Sequence, residues 1–139
     1  MTAAMLPLQA AILSALNDAL DVGSSPTGAA VSVYDDVPQG AAFPYVELGD
    51  DATAGDWSAL ATEGEEIHFH LHTWSRYRGK KEALQVMGAV KTALQNARLT
   101  VSGWCLASIR EEFSTIFTDP DGRTRHGVQR FKALLRKAS

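Results

Sequence analysis

The sequence predicts an α+β domain: a mainly antiparallel sheet with two helices packed on one face, and a long C-terminal β-hairpin. Three observations carry this. The stretch Glu65–Ser75 alternates strictly, with Ile67, Phe69, Leu71 and Thr73 on one side and Glu66, His68, His70, His72 and Trp74 on the other. A period of two marks a strand with one face on a core. From Lys80 the period changes: Ala83, Met87, Val90 and Leu94 recur at three and four residues, with Leu84 widening the stripe of an amphipathic helix that ends near Asn96. Finally, Asp119-Pro120-Asp121-Gly122 separates two strand-like arms, Pro setting the turn and Gly accepting positive φ.

The remaining elements follow in chain order. Leu8, Ile12, Leu16 and Leu20 lie four apart with Leu13 beside them, giving a helix over Pro7–Asp21 that opens on proline. Gly23 stops it, and Ser24–Gly28 reads as a loop. Ala30–Tyr34 and Tyr45–Leu48 read as short strands, joined through a connection rich in turn residues. Residues 52–64 read as a mobile or partner-ordered loop, with room for a short strand around Ser58–Ala61. Trp57 within it is either a core plug or an exposed anchor. After a brief extended piece at Leu99–Val101, Trp104–Thr118 forms the first hairpin arm, its broken parity calling for a bulge. Val128–Leu135 returns as the second arm, with a terminal helix over Arg130–Lys137 as the competing assignment.

A chain of 139 residues, 45% hydrophobic and 21% charged, is one domain able to bury a core without staples. Cys105 is the only cysteine, which excludes an internal disulfide and leans towards assembly in a reducing compartment. The first residues lack the pattern of a signal peptide, and no run is long and apolar enough for a membrane helix. Charge is strongly polarised. Residues 1–75 hold eleven acids and no Lys or Arg; residues 76–139 hold all thirteen Lys and Arg and five acids. Either the halves interleave and the charges mix, or the molecule has an acidic and a basic side suited to head-to-tail stacking or to nucleic acid.

No constellation in the sequence reads as an active site. His68, His70 and His72 project from one strand face and could hold a metal if His126 or an acid completed the set, which makes a small metal-dependent enzyme an alternative. The competing view is that they are ordinary residues on the less buried side of a sheet. Glu65-Glu66 and Glu111-Glu112 cannot form dyads by themselves, since strand neighbours face opposite ways. Cys105 beside Trp104 and Leu106 reads as a small buried apolar residue. The glycines form no phosphate loop. The basic arm Arg123–Lys137 lacks interleaved stacking aromatics, which weakens a nucleic-acid-binding reading.

The series is nevertheless familiar. The strand end His72-Thr73-Trp74-Ser75-Arg76 and then Gly79 opening a helix resemble the tail completion, or tail terminator, proteins of long-tailed phages (the gp17-like family). An opening helix like Pro7–Leu20, a Pro44-Tyr45-Val46 segment and a closing strand like His126–Phe131 extend the likeness over nearly the whole chain. The resemblance implies a structural subunit and no enzyme, without cofactor or metal. It would form a ring, read as a hexamer, at the head-proximal end of the tail of a phage or gene transfer agent, assembled in the bacterial cytoplasm. Its partners would be itself, the tail tube protein and the head connector or stopper, with DNA passing through without sequence-specific binding and no membrane involved. Another neck protein, a stopper or connector, is the nearest alternative. Trp57, His72, Trp74, Arg76, Arg78, Arg123 and Arg125 are the expected contacts with neighbouring subunits.

Overall fold

The computed structural model describes residues 3–20, 30–57 and 63–138. In chain order these form α1 (Met5–Ala19), β1 (Ser32–Tyr34), β2 (Tyr45–Leu48), β3 (Thr53–Asp56), β4 (Gly64–Ser75), α2 (Lys81–Leu94), β5 (Trp104–Thr118) and β6 (Arg125–Lys137). The strands make one sheet in the order β1-β2-β4-β6-β5, with β3 pairing the first half of β4 on the side where β2 pairs the second half. All pairs are antiparallel except β1 with β2. This is the expected α+β fold with its C-terminal hairpin.

The helices lie on the face that the alternation marked as apolar. Ile67, Phe69, Leu71 and Thr73 of β4 are fully buried, and register sets Ala133, Phe131, Gln129 and Gly127 of β6 beside them. Phe69 and Phe131 stack with ring centroids 5.6 Å apart. The N-cap residue Ala4 and, within α1, Leu8, Ile12 and Leu16 form a buried ridge of spacing four. The helix begins two residues earlier than the proline suggests. Pro7 still costs nothing, because the first four N–H groups of a helix have no internal acceptor. The expected stop at Gly23 and the loop Ser24–Gly28 lie outside the described residues, as does the strand suggested for Ser58–Ala61.

Helix α2 corrects one detail. Its buried stripe is Glu82, Ala83, Val86, Met87, Val90 and Leu94, and Leu84 is 51% exposed. Leu84 follows Ala83 by one residue, about 100° around the helix, and so lies off the stripe. Asn96 takes φ of 57° just past the C-cap Gln95, the left-handed position that Asn tolerates at helix ends.

Two further readings change. Residues 53–56 are a strand and not a loop, paired with Glu65–His68 of β4. Strand β5 carries two register shifts, between Leu106 and Ser108 and between Glu111 and Phe113. Each extra residue inverts parity, so Ile109 points to the core while Phe113 and Phe117 are 48% and 45% exposed on the opposite face. Cys105 is exposed rather than a small core residue. β6 continues as strand to Lys137, which excludes the terminal helix.

Candidate functional site

The chain's four histidines all lie on the sheet face away from the helices, and the basic turns lie at one end of it. Ser75 ends β4 and begins the turn into α2. Its fully buried hydroxyl donates to Glu82 Oε1 at 2.7 Å and accepts the Tyr77 N–H at 3.1 Å. One side chain therefore ties the strand end, the turn and the first turn of α2 together. Gly79 takes φ of 79°, the left-handed conformation that reverses the chain into the helix.

Arg76 leaves this turn along the outside. Its guanidinium carbon sits 4.2 Å over the Phe43 ring, and its Nε donates to Thr124 Oγ1 at 3.2 Å. Thr124 in turn donates to Asp121 Oδ2 at 2.6 Å, while Asp121 Oδ1 accepts the N–H groups of Arg123 and Thr124. Those hydrogen bonds, from Thr124 first, hold the Asp121 carboxyl down at about 2. Arg125 folds back, donating to the Arg123 carbonyl at 3.0 Å. The β4–α2 turn and the β5–β6 turn are thus one hydrogen-bonded unit, with Arg78 exposed beside it.

One row further in, Trp74 stacks on His126 with centroids 3.7 Å apart and planes 13° off parallel, and its Nε1 donates to Glu47 at 3.3 Å. His126 Nε2 lies 2.8 Å from His72 Nδ1, and Phe117 meets the His126 ring edge-on. Burial first, and the neighbouring His72 second, push the His126 pKa below its usual value. Burial and Glu47 push the Tyr45 phenol up. The mouth of a cleft of about 350 Å³ here is lined by Asp35, Asp36, Glu47, Asp50, His72 and Trp74.

The other two histidines are separately engaged. His68 Nδ1 is 2.8 Å from Glu112 and 3.2 Å from Arg130, and its Nε2 is 3.3 Å from Glu66. The hydrogen bonds from His68 and then Lys132 pull the Glu66 carboxyl down. His70 Nδ1 is 3.3 Å from Asp51. Among the described residues no three His, Cys, Asp or Glu side chains are grouped to hold a metal ion. The acid pairs split as strand geometry requires: Glu111 accepts from Gln129 on the core side while Glu112 faces His68 outside.

Of the seven expected contact residues, His72, Trp74, Arg76, Arg78, Arg123 and Arg125 therefore gather at one end of the sheet. Trp57 stands apart. It is half-buried and donates its N–H to the Gly64 carbonyl at the start of β4, ~37 Å along the strand from Ser75. Glu47, Glu82, Thr124 and Asp121 complete the unit and were not singled out from the sequence. In the sequence His126 stands out as a possible metal ligand and as the start of the closing strand, not as a partner of Trp74. The local signal was Thr124 three residues after Asp121, the spacing of a side-chain-capped turn.

Comparison with known proteins gives a consistent result. Residues 10–136 match the model of the family "Tail completion protein gp17". The tail completion protein gp17 of Bacillus phage SPP1 is 28% identical over 86 residues, which span 62% of this chain and 63% of that protein. A chain from the virion of a native gene transfer agent particle superposes with a TM-score of 0.84 at 26% identity, covering 98% of this chain and 99% of that one. No helix among the described residues is long and apolar enough to cross a membrane.

Proposed function

Because the chain belongs to the tail completion protein gp17 family, we propose that it forms a ring that terminates the tail tube and joins it to the head connector. It is a structural protein of a phage or phage-like tail, and its place is the virion or gene-transfer-agent particle. The ring is read as a hexamer, with tail tube protein on one side, connector or stopper on the other, and DNA passing through without sequence-specific contacts. The observation that carries this reading is the family match over residues 10–136, joined to a fold likeness that covers 98% of the chain.

The geometry supports a contact role more than a catalytic one. The hydroxyl, imidazole and carboxylate groups at the candidate site are engaged with one another, as in a surface held rigid for docking. Arg78 and Arg123 project from the fused turns and, with Trp74 and His72, offer a basic and aromatic end for a neighbour. The test is cryo-EM of purified particles together with sedimentation of the isolated protein. A six-fold ring between tube and connector is expected. Monomers both in solution and in particles would remove the reading, and density on the portal side would reassign the chain as a stopper.

A further inference from the structure

The two edges of this sheet are complementary, and we propose that β5 of one copy adds to β1 of the next as the contact that builds the ring. This rests on the ring reading above and goes beyond it by naming the interface and its polarity.

The first observation is strand β5 itself. Its only strand neighbour along its length is β6. On the outer side the first half is met by the segment after α2, where the Asn96 N–H donates to the Ile109 carbonyl and Gln95 accepts the Glu111 N–H. Among the described residues nothing bonds the outer side beyond the second bulge. Native edge strands are normally protected by charges, bulges or shortness. The bulges and Arg110 protect the first part of β5, but after the second bulge the segment Phe113-Ser114-Thr115-Ile116-Phe117-Thr118 has no charge, no Pro and no Gly. Every one of these side chains except Ile116 is exposed. Such an edge on a lone molecule is a template for pairing.

The second observation is where the other edge lies. Register connects Tyr34 through Glu47, His72 and Val128 to Thr115, and Ser32 through Tyr45, Trp74 and His126 to Phe117. Strand β1 therefore sits level with the uncharged segment of β5, at the opposite side of the sheet. No strand among the described residues pairs with the outer edge of β1. Direction also fits. β1 runs with β2, which opposes β4, and β5 runs with β4. Two copies set side by side in the same orientation present β5 and β1 antiparallel, the pairing that hydrogen-bonds best.

Charge is the third observation. Residues 30–57, which hold β1 to β3, contain six acids and no Lys or Arg. Residues 104–138, which hold β5 and β6, contain seven Lys and Arg and four acids. Glu111 is taken up by Gln129, Glu112 by Arg130 and His68, and Asp121 by its own turn, while Lys132 and Lys137 pair with Glu66 and Glu63. Arg110, Arg123, Arg125 and Arg136 are left in no ion pair among the described residues. Exposed Asp35 and Asp36 directly follow β1, and exposed Arg110 lies on β5 just before its second bulge. A side-by-side contact brings unlike charges together there. Copies that faced β1 to β1 would instead bring Asp35 and Asp36 of both together. Because the two edges differ, the contact is heterologous and repeats from copy to copy until it closes.

The test is a charge swap. Arg110→Glu with Thr115→Glu alters only the β5 edge, and Asp35→Lys with Asp36→Lys alters only the β1 edge. Each variant alone should need a roughly tenfold or higher concentration to assemble, whereas an equimolar mixture should assemble at the wild-type concentration. Hydrogen exchange on wild-type protein gives an independent readout. Amides within 113–118 and 32–34 should gain protection on going from monomer to ring. Variants that assemble unaided, a mixture that fails, or protection confined to other surfaces overturns the edge contact while leaving the ring. Wild-type protein that forms no ring, free or in particles, overturns both.

Discussion

Replacing Ser75 by alanine tests whether the strand–turn–helix junction is held by one buried hydroxyl. Ser75 Oγ is removed from water, donates to the buried Glu82 carboxylate at 2.7 Å and accepts from Tyr77 N–H. A hydrogen bond to a charged group contributes about 1.5–3 kcal/mol and a neutral one about 1 kcal/mol. The Tyr77 N–H can turn to water at an exposed residue, whereas the Glu82 carboxyl is buried and loses this donor. Ser75→Ala should therefore cost about 2–4 kcal/mol, a large share of the ~5–15 kcal/mol that holds a domain of this kind folded. Urea unfolding followed by tryptophan fluorescence measures it, with an unchanged m-value confirming that the native state is intact. Combining Ser75→Ala with Glu82→Gln in a double-mutant cycle isolates the pair, and a coupling of about 1–2 kcal/mol is expected. Costs that add to within ~0.3 kcal/mol would refute the account, since independent side chains would then be holding the junction.

Three further outcomes follow from the same structure. Thr73 is fully buried on the core face and its Oγ1 has no hydrogen-bond partner among the described residues, so Thr73→Val should stabilise by about 1 kcal/mol; loss of stability in urea titration would reveal a missing partner. Gly64→Ala should destabilise by about 1–3 kcal/mol, because a Cβ there overlaps the Trp57 carbonyl and comes within 2.8 Å of the Leu135 carbonyl, both backbone groups; a neutral effect in the same assay would show that β3 and β4 part easily. His126 has its pKa depressed, so the unfolded chain takes up the proton more readily. Its contribution is fully present above the unfolded value near 6.5 and is lost as pH falls through the lower folded value. Melting temperature should accordingly drop between pH 7.5 and 5, and His126→Gln should flatten that slope. The Asp121 carboxyl, at about 2, acts only in stronger acid and does not contribute to this window.

Most of the sheet was legible because β4 and α2 keep strict periods. The hidden parts have specific physical causes. Thr53-Ala54-Gly55-Asp56 shows no apolar alternation, since all four residues are exposed; it is a strand because β4 offers it an edge. Glu82 belongs to the buried stripe of α2 although its type suggests the surface, because Ser75 supplies a buried donor. Leu84 was placed on that stripe by type and is exposed by geometry. The second β5 bulge inverts parity at Glu112, so Phe113 and Phe117, in step with Ile109 in sequence, face the other way. In the candidate site, residues adjacent in sequence could be found and residues brought together by register could not. His72 and His126 are 54 positions apart yet their ring nitrogens are 2.8 Å from one another.

The same register decides what the charge polarity of the chain becomes in space. The sign changes at Arg76, where the chain leaves β4, and the strand order β1-β2-β4-β6-β5 keeps the early strands on one side and the late ones on the other. β4 and β6 are the seam. Along it the opposite charges neutralise each other, Glu66 with Lys132 at 3.4 Å and Glu112 of β5 with Arg130 at 3.2 Å, and the histidines fill the row between. Among the described residues no ion pair joins the acids of residues 35–56 to the bases of the β5–β6 turn; Asp51 instead meets His70 of β4. An order that inserted β6 between β1 and β2 would have mixed the signs everywhere. The observed order instead mixes them in the centre, where they brace the histidine face, and separates them at the edges, where they can select how a second copy approaches. On this view the histidines serve rigidity at the seam, and specificity for partners resides in the two edges.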